Sequence, residues 1–190
     1  FIDNAGYDSG GAVSNLRDAP SGVVSDGMNP FRTIAFAEIN GPLFVNCVFT
    51  GNWSSYSMRG TAIDNRDCGP LVANCTFVNN GEDFTIYNEN SSLLISSSII
   101  QNNWIPIEDD ESSSTIVRYS NIDGGWDGEG EGNIDANPMF VPPYGDYRLM
   151  PGSPCIDAGD NTHVPDGILT DMGGDPRFHD DPVTVDTGFG

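Results

Sequence analysis

Apolar and polar positions recur along this chain in a block of about ten residues. Leu43 to Asn52 reads Leu-Phe-Val-Asn-Cys-Val-Phe-Thr-Gly-Asn, and the same order returns at Leu71 to Asn80, Leu94 to Asn103 and Ile116 to Gly125. Aligning Cys47, Cys75, Ser98 and Ser120 gives steps of 28, 23 and 22 residues. A repeat of that length marks a stacked architecture in which each unit covers its neighbour. Within the block, Leu43, Cys47 and Phe49 alternate with Phe44, Asn46 and Val48, which predicts extended chain with one apolar-leaning face. Two residues before the Cys position the character drifts through Val45, Ala73, Ser96 and Arg118, which predicts a bend or bulge there.

A second, shorter extended piece precedes each block. Taking Val13, Ile63, Ile86 and Ile107 as equivalent gives a second apolar stack, followed after 8 or 9 residues by Leu71, Leu94 and Ile116. From Val13 to Leu43 the gap is 30 residues, an excess of one repeat. Ser21 to Asn40 is therefore either a degenerate coil or a long lateral loop, and the length favours the coil. Asparagine closes the pieces at Asn52, Asn80 and Asn103, and at Asn15, Asn65 and Asn88. Asparagine accepts left-handed backbone, and stacked copies can share amide hydrogen bonds. That role competes with glycosylation at the sequons beginning at Asn52, Asn74 and Asn90. Short strands, no helical periodicity and no Leu-x-x-Leu-x-Leu frame predict an all-β fold. The expected form is a right-handed parallel β-helix of about four to five coils over residues 1–125. An acidic loop and an irregular C-terminal capping segment follow over 126–190. Met139, Phe140, Val141, Tyr147, Leu149 and Ile156 are the residues that could cover the exposed end.

That segment carries the phrases Asn133-Ile-Asp-Ala-Asn-Pro-Met-Phe140, Gly145-Asp-Tyr-Arg-Leu149 and Ser153-Pro-Cys-Ile-Asp-Ala-Gly159. With the Asn-Cys-x-Phe units, they resemble the parallel β-helix repeat proteins of the pectate-lyase-like superfamily, in their secreted bacterial form. The likeness runs from Phe1 to about Asn161. At the end the chain departs from the pattern, with Asp186-Thr-Gly-Phe-Gly190 in place of the usual closing phrase. The resemblance implies an extracellular or cell-surface protein and assigns no activity.

Charge narrows the partners. Asp and Glu number 28 against 7 basic residues, for a net charge of -21, and every basic residue is arginine. Such a surface repels nucleic acid and anionic lipid, and no apolar run could span a bilayer. The chain opens on Phe1 inside a repeat and reads as a mature or excised piece of a longer protein.

Four cysteines, Cys47, Cys68, Cys75 and Cys155, lack zinc-knuckle spacing. Cys47 and Cys75 share a repeat position, about 4.8 Å apart in stacked strands, which allows either a disulfide or a ladder of buried thiols. Enzymes of the resembled fold act on acidic polysaccharides, where a lyase needs a base and a cation to neutralise the uronate. Lysine is excluded as that base, leaving Arg59 or Arg66 near Asp64 and Asp67, against the plainer reading of surface arginines. Asp109, Asp110 and Glu111 form a carboxylate cluster in a serine-rich turn. His163 and His179 have no evident nucleophile, and no catalytic residue is assigned. Calcium has a candidate bed in Asp157, Asp160, Asp171 and Asp175, with Asn161 and Asp166 between glycines. Trp53, Tyr56 and Trp104 stand at turns where, with Arg59 and Arg66, they could stack on and hydrogen-bond a glycan.

Three functions are therefore weighed. The first is a non-catalytic structural or adhesive module that binds polysaccharide or other surface components. The second is a calcium-dependent polysaccharide lyase or related carbohydrate-active enzyme, with Arg59 or Arg66 as base. The third is a self-associating extracellular fibre subunit.

Overall fold

The computed structural model describes strand backbone at 5–6, 13–16 and 23–24, and residues 41–54, 59–81, 83–142 and 145–189. The described chain is all-β, with one short 3-10 turn at Asn161–His163. Three parallel sheets carry it. Sheet 1 holds Val13–Leu16, Ile63–Arg66, Phe84–Glu89 and Ile105–Asp109. Sheet 2 holds Val23–Val24, Leu43–Val45, Leu71–Ala73, Ser92–Ser96, Ser114–Arg118 and Glu129–Glu131. Sheet 3 holds Val48–Thr50, Thr76–Val78, Ile99–Gln101 and Asn121–Ile122. From Ile63 to Ile122 the chain visits sheets 1, 2 and 3 in that order three times, and Glu129–Glu131 then joins sheet 2 directly, an arrangement compatible with a β-helix. A separate parallel pair joins Ala5–Gly6 to Trp53–Ser54. No helix among the described residues is long and apolar enough to cross a membrane.

The register follows the repeat. Val13, Ile63, Ile86 and Ile107 are partners across sheet 1. Leu43, Leu71, Leu94 and Ile116 are partners across sheet 2. Of the excess before Leu43, expected as a degenerate coil or a lateral loop over Ser21 to Asn40, only Val23–Val24 falls within the described residues. Val23–Val24 adds a strand to sheet 2 beside Leu43–Phe44, but Val13–Leu16 and Ile63–Arg66 are immediate neighbours in sheet 1.

The bend between sheets 2 and 3 falls one residue later than the side-chain drift predicts. Asn46, Asn74, Ser97 and Tyr119 all hold φ between 46° and 55°. A single left-handed residue turns the corner and resets the in–out alternation. Phe44, Cys47 and Phe49 therefore all join the core, although the simple alternation assigns Phe44 to the other face. Leu43, Val45, Leu71 and Ala73 instead form a second buried cluster with Leu94 and Ile168. Inside, Phe49 stacks on Phe77 with ring centroids 4.5 Å apart, and Ile63, Ile86, Ile95, Ile100 and Ile122 are fully buried.

Polar residues fill the corners as ladders. Asn52 Nδ2 donates to Asn80 Oδ1 at 2.8 Å, and Asn80 Nδ2 to Asn103 Oδ1 at 3.2 Å. A second ladder runs from Asn65 through Asn88 to Asp109, each step 2.7 Å. A third passes backbone N–H bonds from Cys75 to Ser98 Oγ, Ser98 to Ser120 Oγ and Ser120 to Asn133 Oδ1, each 3.1 Å. Buried amides and hydroxyls without such partners would each cost about 1–3 kcal/mol.

Two expectations for residues beyond 125 change. The acidic loop is part of the ladder: Glu129–Glu131 pairs with Ile116–Arg118, and Ile134 bridges Asn121. Gly130, at φ 147°, lies so close to the Val117 carbonyl that a Cβ would sit 1.7 Å from its oxygen. Trp126 packs against the main core and donates its indole N–H to the Glu129 carbonyl. Of the residues expected to cover the exposed end, none is fully buried. Tyr147 Oη is 2.8 Å from Thr50 Oγ1, and Ile168 seals the outer cluster of sheet 2.

Candidate functional site

Sheet 1 alternates as a strand should. Ile63, Ile86 and Ile107 enter the core. Asp64, Arg66, Tyr87, Glu89 and Glu108 occupy the opposite face in register. The C-terminal segment covers sheet 2, whereas this face carries the two arginines singled out from sequence. Arg59 Nη1 lies 2.9 Å from Glu89 Oε2 and 3.7 Å from Asp64 Oδ1. Arg66 Nε lies 3.2 Å from the same Glu89 oxygen, and its Nη2 lies 3.8 Å from Asp64 Oδ2. Asp64 is fully buried beneath them. The Arg59 guanidinium stands 5.7 Å from the Tyr87 ring centroid, and Phe84 stacks on Tyr87 at 5.6 Å with an interplanar angle of 19°.

Electrostatics decides what these arginines can do. Burial pulls the Arg59 guanidinium down. The hydrogen bond to Glu89 and the charges of Asp64 and Glu89 outweigh it, and the group stands above its ordinary value. A general base must give up its proton, and this one is held more tightly than usual. Tyr87 is pushed up by burial and by Glu89, so the phenol stays neutral and able to donate. Asp67, the other carboxylate expected near the arginines, sits at a left-handed corner and accepts from Asn90 Nδ2.

Trp104 is 72% exposed and Trp53 45% exposed, both immediately after ladder asparagines. Tyr56 lies outside the described residues. The turn carboxylates are structural. Asp109 ends the asparagine ladder and accepts from Thr115 Oγ1 at 2.7 Å. Asp110 is held below the ordinary carboxylate range by hydrogen bonds, first from Ser113.

The acidic tail residues separate into three places. Asp160 is buried, pairs with His163 Nδ1 and accepts from Thr162 N and Oγ1. Burial raises its pKa, but these bonds, first from Thr162, hold it below its ordinary value. His163 faces Arg118 on its other side at 3.5 Å. Asp171 and Asp175 close a turn, with Asp175 N donating to Asp171 Oδ1 at 2.9 Å. Only Asp157 of the expected four joins a convergent group, with Asp180 and Asp186, their ligand oxygens within 4.8 Å of one another. Sequence reasoning missed Asp180 and Asp186 because no spacing rule links them to Asp157. The Thr187 and Gly188 amides bond the Asp157 carbonyl and bring them in.

Between the outer side of sheet 3 and the tail lies an open cavity of about 1130 Å³, lined by Thr76, Tyr119, Tyr147, Arg177, Phe178 and Phe189 among others. The tail hangs on the left-handed corner residues. Asn46 Nδ2 donates to the Thr170 carbonyl and Arg177 donates to Asn46 Oδ1, while Asp160 N donates to Ser97 Oγ at 2.8 Å. Burial lowers the Arg177 pKa. All four cysteines are free thiols. Cys47 and Cys75 are the buried neighbours the repeat predicts, and burial, then the adjoining Cys47 thiol, pushes Cys75 well above its usual value.

No protein-family model, no curated protein and no solved structure matches this chain.

Proposed function

We propose that this chain is a non-catalytic extracellular module that binds glycan along the outer face of sheet 1. It would serve a structural or adhesive role in a secreted or cell-surface protein. Its scaffold, on this reading, is a right-handed parallel β-helix of the pectate-lyase-like kind, with about four to five circuits and a C-terminal segment folded along its side. The right hand follows from the strong preference of parallel crossover connections. The extracellular setting follows from the resemblance of the repeat and tail phrases.

One observation carries the functional reading. Arg59 and Arg66, the candidate bases, are tied to Asp64 and Glu89. An arginine held this way donates hydrogen bonds to hydroxyls and does not abstract a proton. The Tyr87 ring lies beneath Arg59 and Phe84 stacks on Tyr87, an aromatic surface beside donors, the usual pairing for sugar recognition. If calcium belongs to the molecule, the Asp157, Asp180 and Asp186 carboxylates are its place, which lies in the tail and leaves the sheet 1 face without a metal.

A panel of neutral and acidic polysaccharides tests the proposal, with calcium and with chelator. Protein retention is scored on each polymer while unsaturated uronide absorbance is followed. Retention without product is expected. Calcium-dependent product, lost on Arg59→Ala or Arg66→Ala, would establish the lyase instead. Neither retention nor product, with filaments in electron micrographs, would establish the fibre subunit.

A further inference from the structure

Trp53 and Trp104 occupy the same place in the repeat, each directly after a ladder asparagine. Their asparagines are joined through Asn80: Asn52 bonds Asn80, and Asn80 bonds Asn103. The two tryptophans are thus two strand steps apart, about 9–10 Å at the ordinary spacing of neighbouring strands. The intervening position is Gly81, whose amide donates to the Asn52 carbonyl at 2.8 Å. It carries no side chain of its own, and the Thr61 side chain fills the space beside it, with Thr61 Cγ2 2.5 Å from where a Cβ would sit. The third tryptophan, Trp126, packs on the core, so exposure of the other two is not a general habit of tryptophan here.

We propose that Trp53 and Trp104 form a paired stacking platform for an uncharged, extended, β-linked polysaccharide that runs along the direction in which the strands stack. This rests on the glycan-binding reading of the sheet 1 face and specifies its ligand. An indole face stacks on the C–H face that a pyranose with equatorial hydroxyls presents. An extended β-linked chain advances by roughly one strand spacing per ring, so every second ring meets a tryptophan and the ring between lies at the level of Gly81 and Thr61. Charge selects the uncharged polymer. The chain carries -21 overall, and the arginines nearest this edge already face Asp64 and Glu89. A polyanion would meet repulsion that Arg59 and Arg66, already paired with these carboxylates, offset poorly. Trp104 adjoins Ile105, which pairs with Phe84, and Phe84 stacks on Tyr87 beneath Arg59. Hydroxyls of the bound chain therefore meet polar groups along one side.

The test compares retention on cellulose, chitin and mannan with retention on polygalacturonate and alginate, for wild type, Trp53→Ala, Trp104→Ala and the double variant. Thermal melting confirms that each variant is folded, and quenching of indole fluorescence by a soluble oligosaccharide gives a second readout. We expect wild type to be held by at least one uncharged β-linked polymer, with little effect of added salt. Each single variant should lose about tenfold in affinity, Phe at either position should restore part of it, and the double variant should not be retained. Retention unchanged in the double variant overturns the platform. Retention on acidic polymers alone overturns it while leaving glycan binding intact. No retention on any polymer overturns both.

Discussion

Sheets 1 and 2 are built to the same plan and present opposite chemistry outward. Each is parallel, each places a column of apolar residues in the core, and each alternates strictly. Sheet 2 turns Leu43, Val45, Leu71 and Ala73 away from the core, and the tail covers them through Ile168. Sheet 1 turns Asp64, Arg66, Tyr87, Glu89 and Glu108 away and bears ion pairs. The inward column decides that a sheet forms. The outward column decides whether its second face is closed by the chain itself or left for something else.

The largest test of this contrast is a charge placed on each face. Leu71→Asp buries a carboxylate in the outer cluster and should cost about 4 kcal/mol or more, with early proteolytic release of the tail. Glu108→Lys on sheet 1 should move stability by no more than about 0.5 kcal/mol in the same urea titration. Equal losses would show that the two outward faces are not different in kind.

Next in size is the asparagine ladder at the corner that leads from sheet 3 to sheet 1. Asn80→Ala removes the acceptor of the Asn52 amides and the donor to the Phe49 carbonyl. A loss of about 2–4 kcal/mol is expected, affecting the whole repeat and not the tail alone. Hydrogen exchange would reveal the reverse if only tail amides opened.

Acid should separate the faces more gently. Asp160 anchors the tail on Ser97 and has a pKa below its ordinary value. A depressed carboxylate contributes stability that is present above its unfolded pKa, about 3.9, and lost as pH falls through the folded one. Tail protection should therefore fade below about pH 4 while the core amides of sheets 1 to 3 hold. Asp160→Asn should flatten that dependence.

The smallest effect concerns Asp157, Asp180 and Asp186. Without a cation, Asp180→Asn relieves like-charge repulsion and should raise the melting temperature by a degree or so, about 0.3 kcal/mol. With calcium bound, the same substitution should lower it and remove any chelator sensitivity.

Much of the repeat was legible from residues alone, because a stacked fold writes each contact several times. The Leu43 and Val13 columns and the asparagine ladders follow from spacing. The inward place of Phe44 was not legible, since alternation fails wherever one residue turns left-handed, and Asn46 looks like any turn asparagine. Trp126 was hidden for a related reason: Gly124, Gly125, Gly128, Gly130 and Gly132 surround it and read as a loop. The tail contacts are made once each, so no pattern announces them. Of the candidate site, the pairing of Arg59 and Arg66 with Asp64 was foreshadowed by proximity in the chain, whereas Glu89 comes from the next strand and Asp180 from the far end.

The unequal repeat lengths have a single origin. From each sheet 2 anchor to the Cys or Ser column is always 4 residues, and from that column to the ladder asparagine always 5. From the asparagine to the next sheet 1 isoleucine it is 11, 6 and then 4. From Leu43 onward, nearly all length variation is thus confined to one edge of the molecule, the edge that carries Trp53 and Trp104. Segments can be gained or lost there without shifting any strand by a residue. That margin is where such a protein can change what it recognises while the rest of its architecture stays as it is.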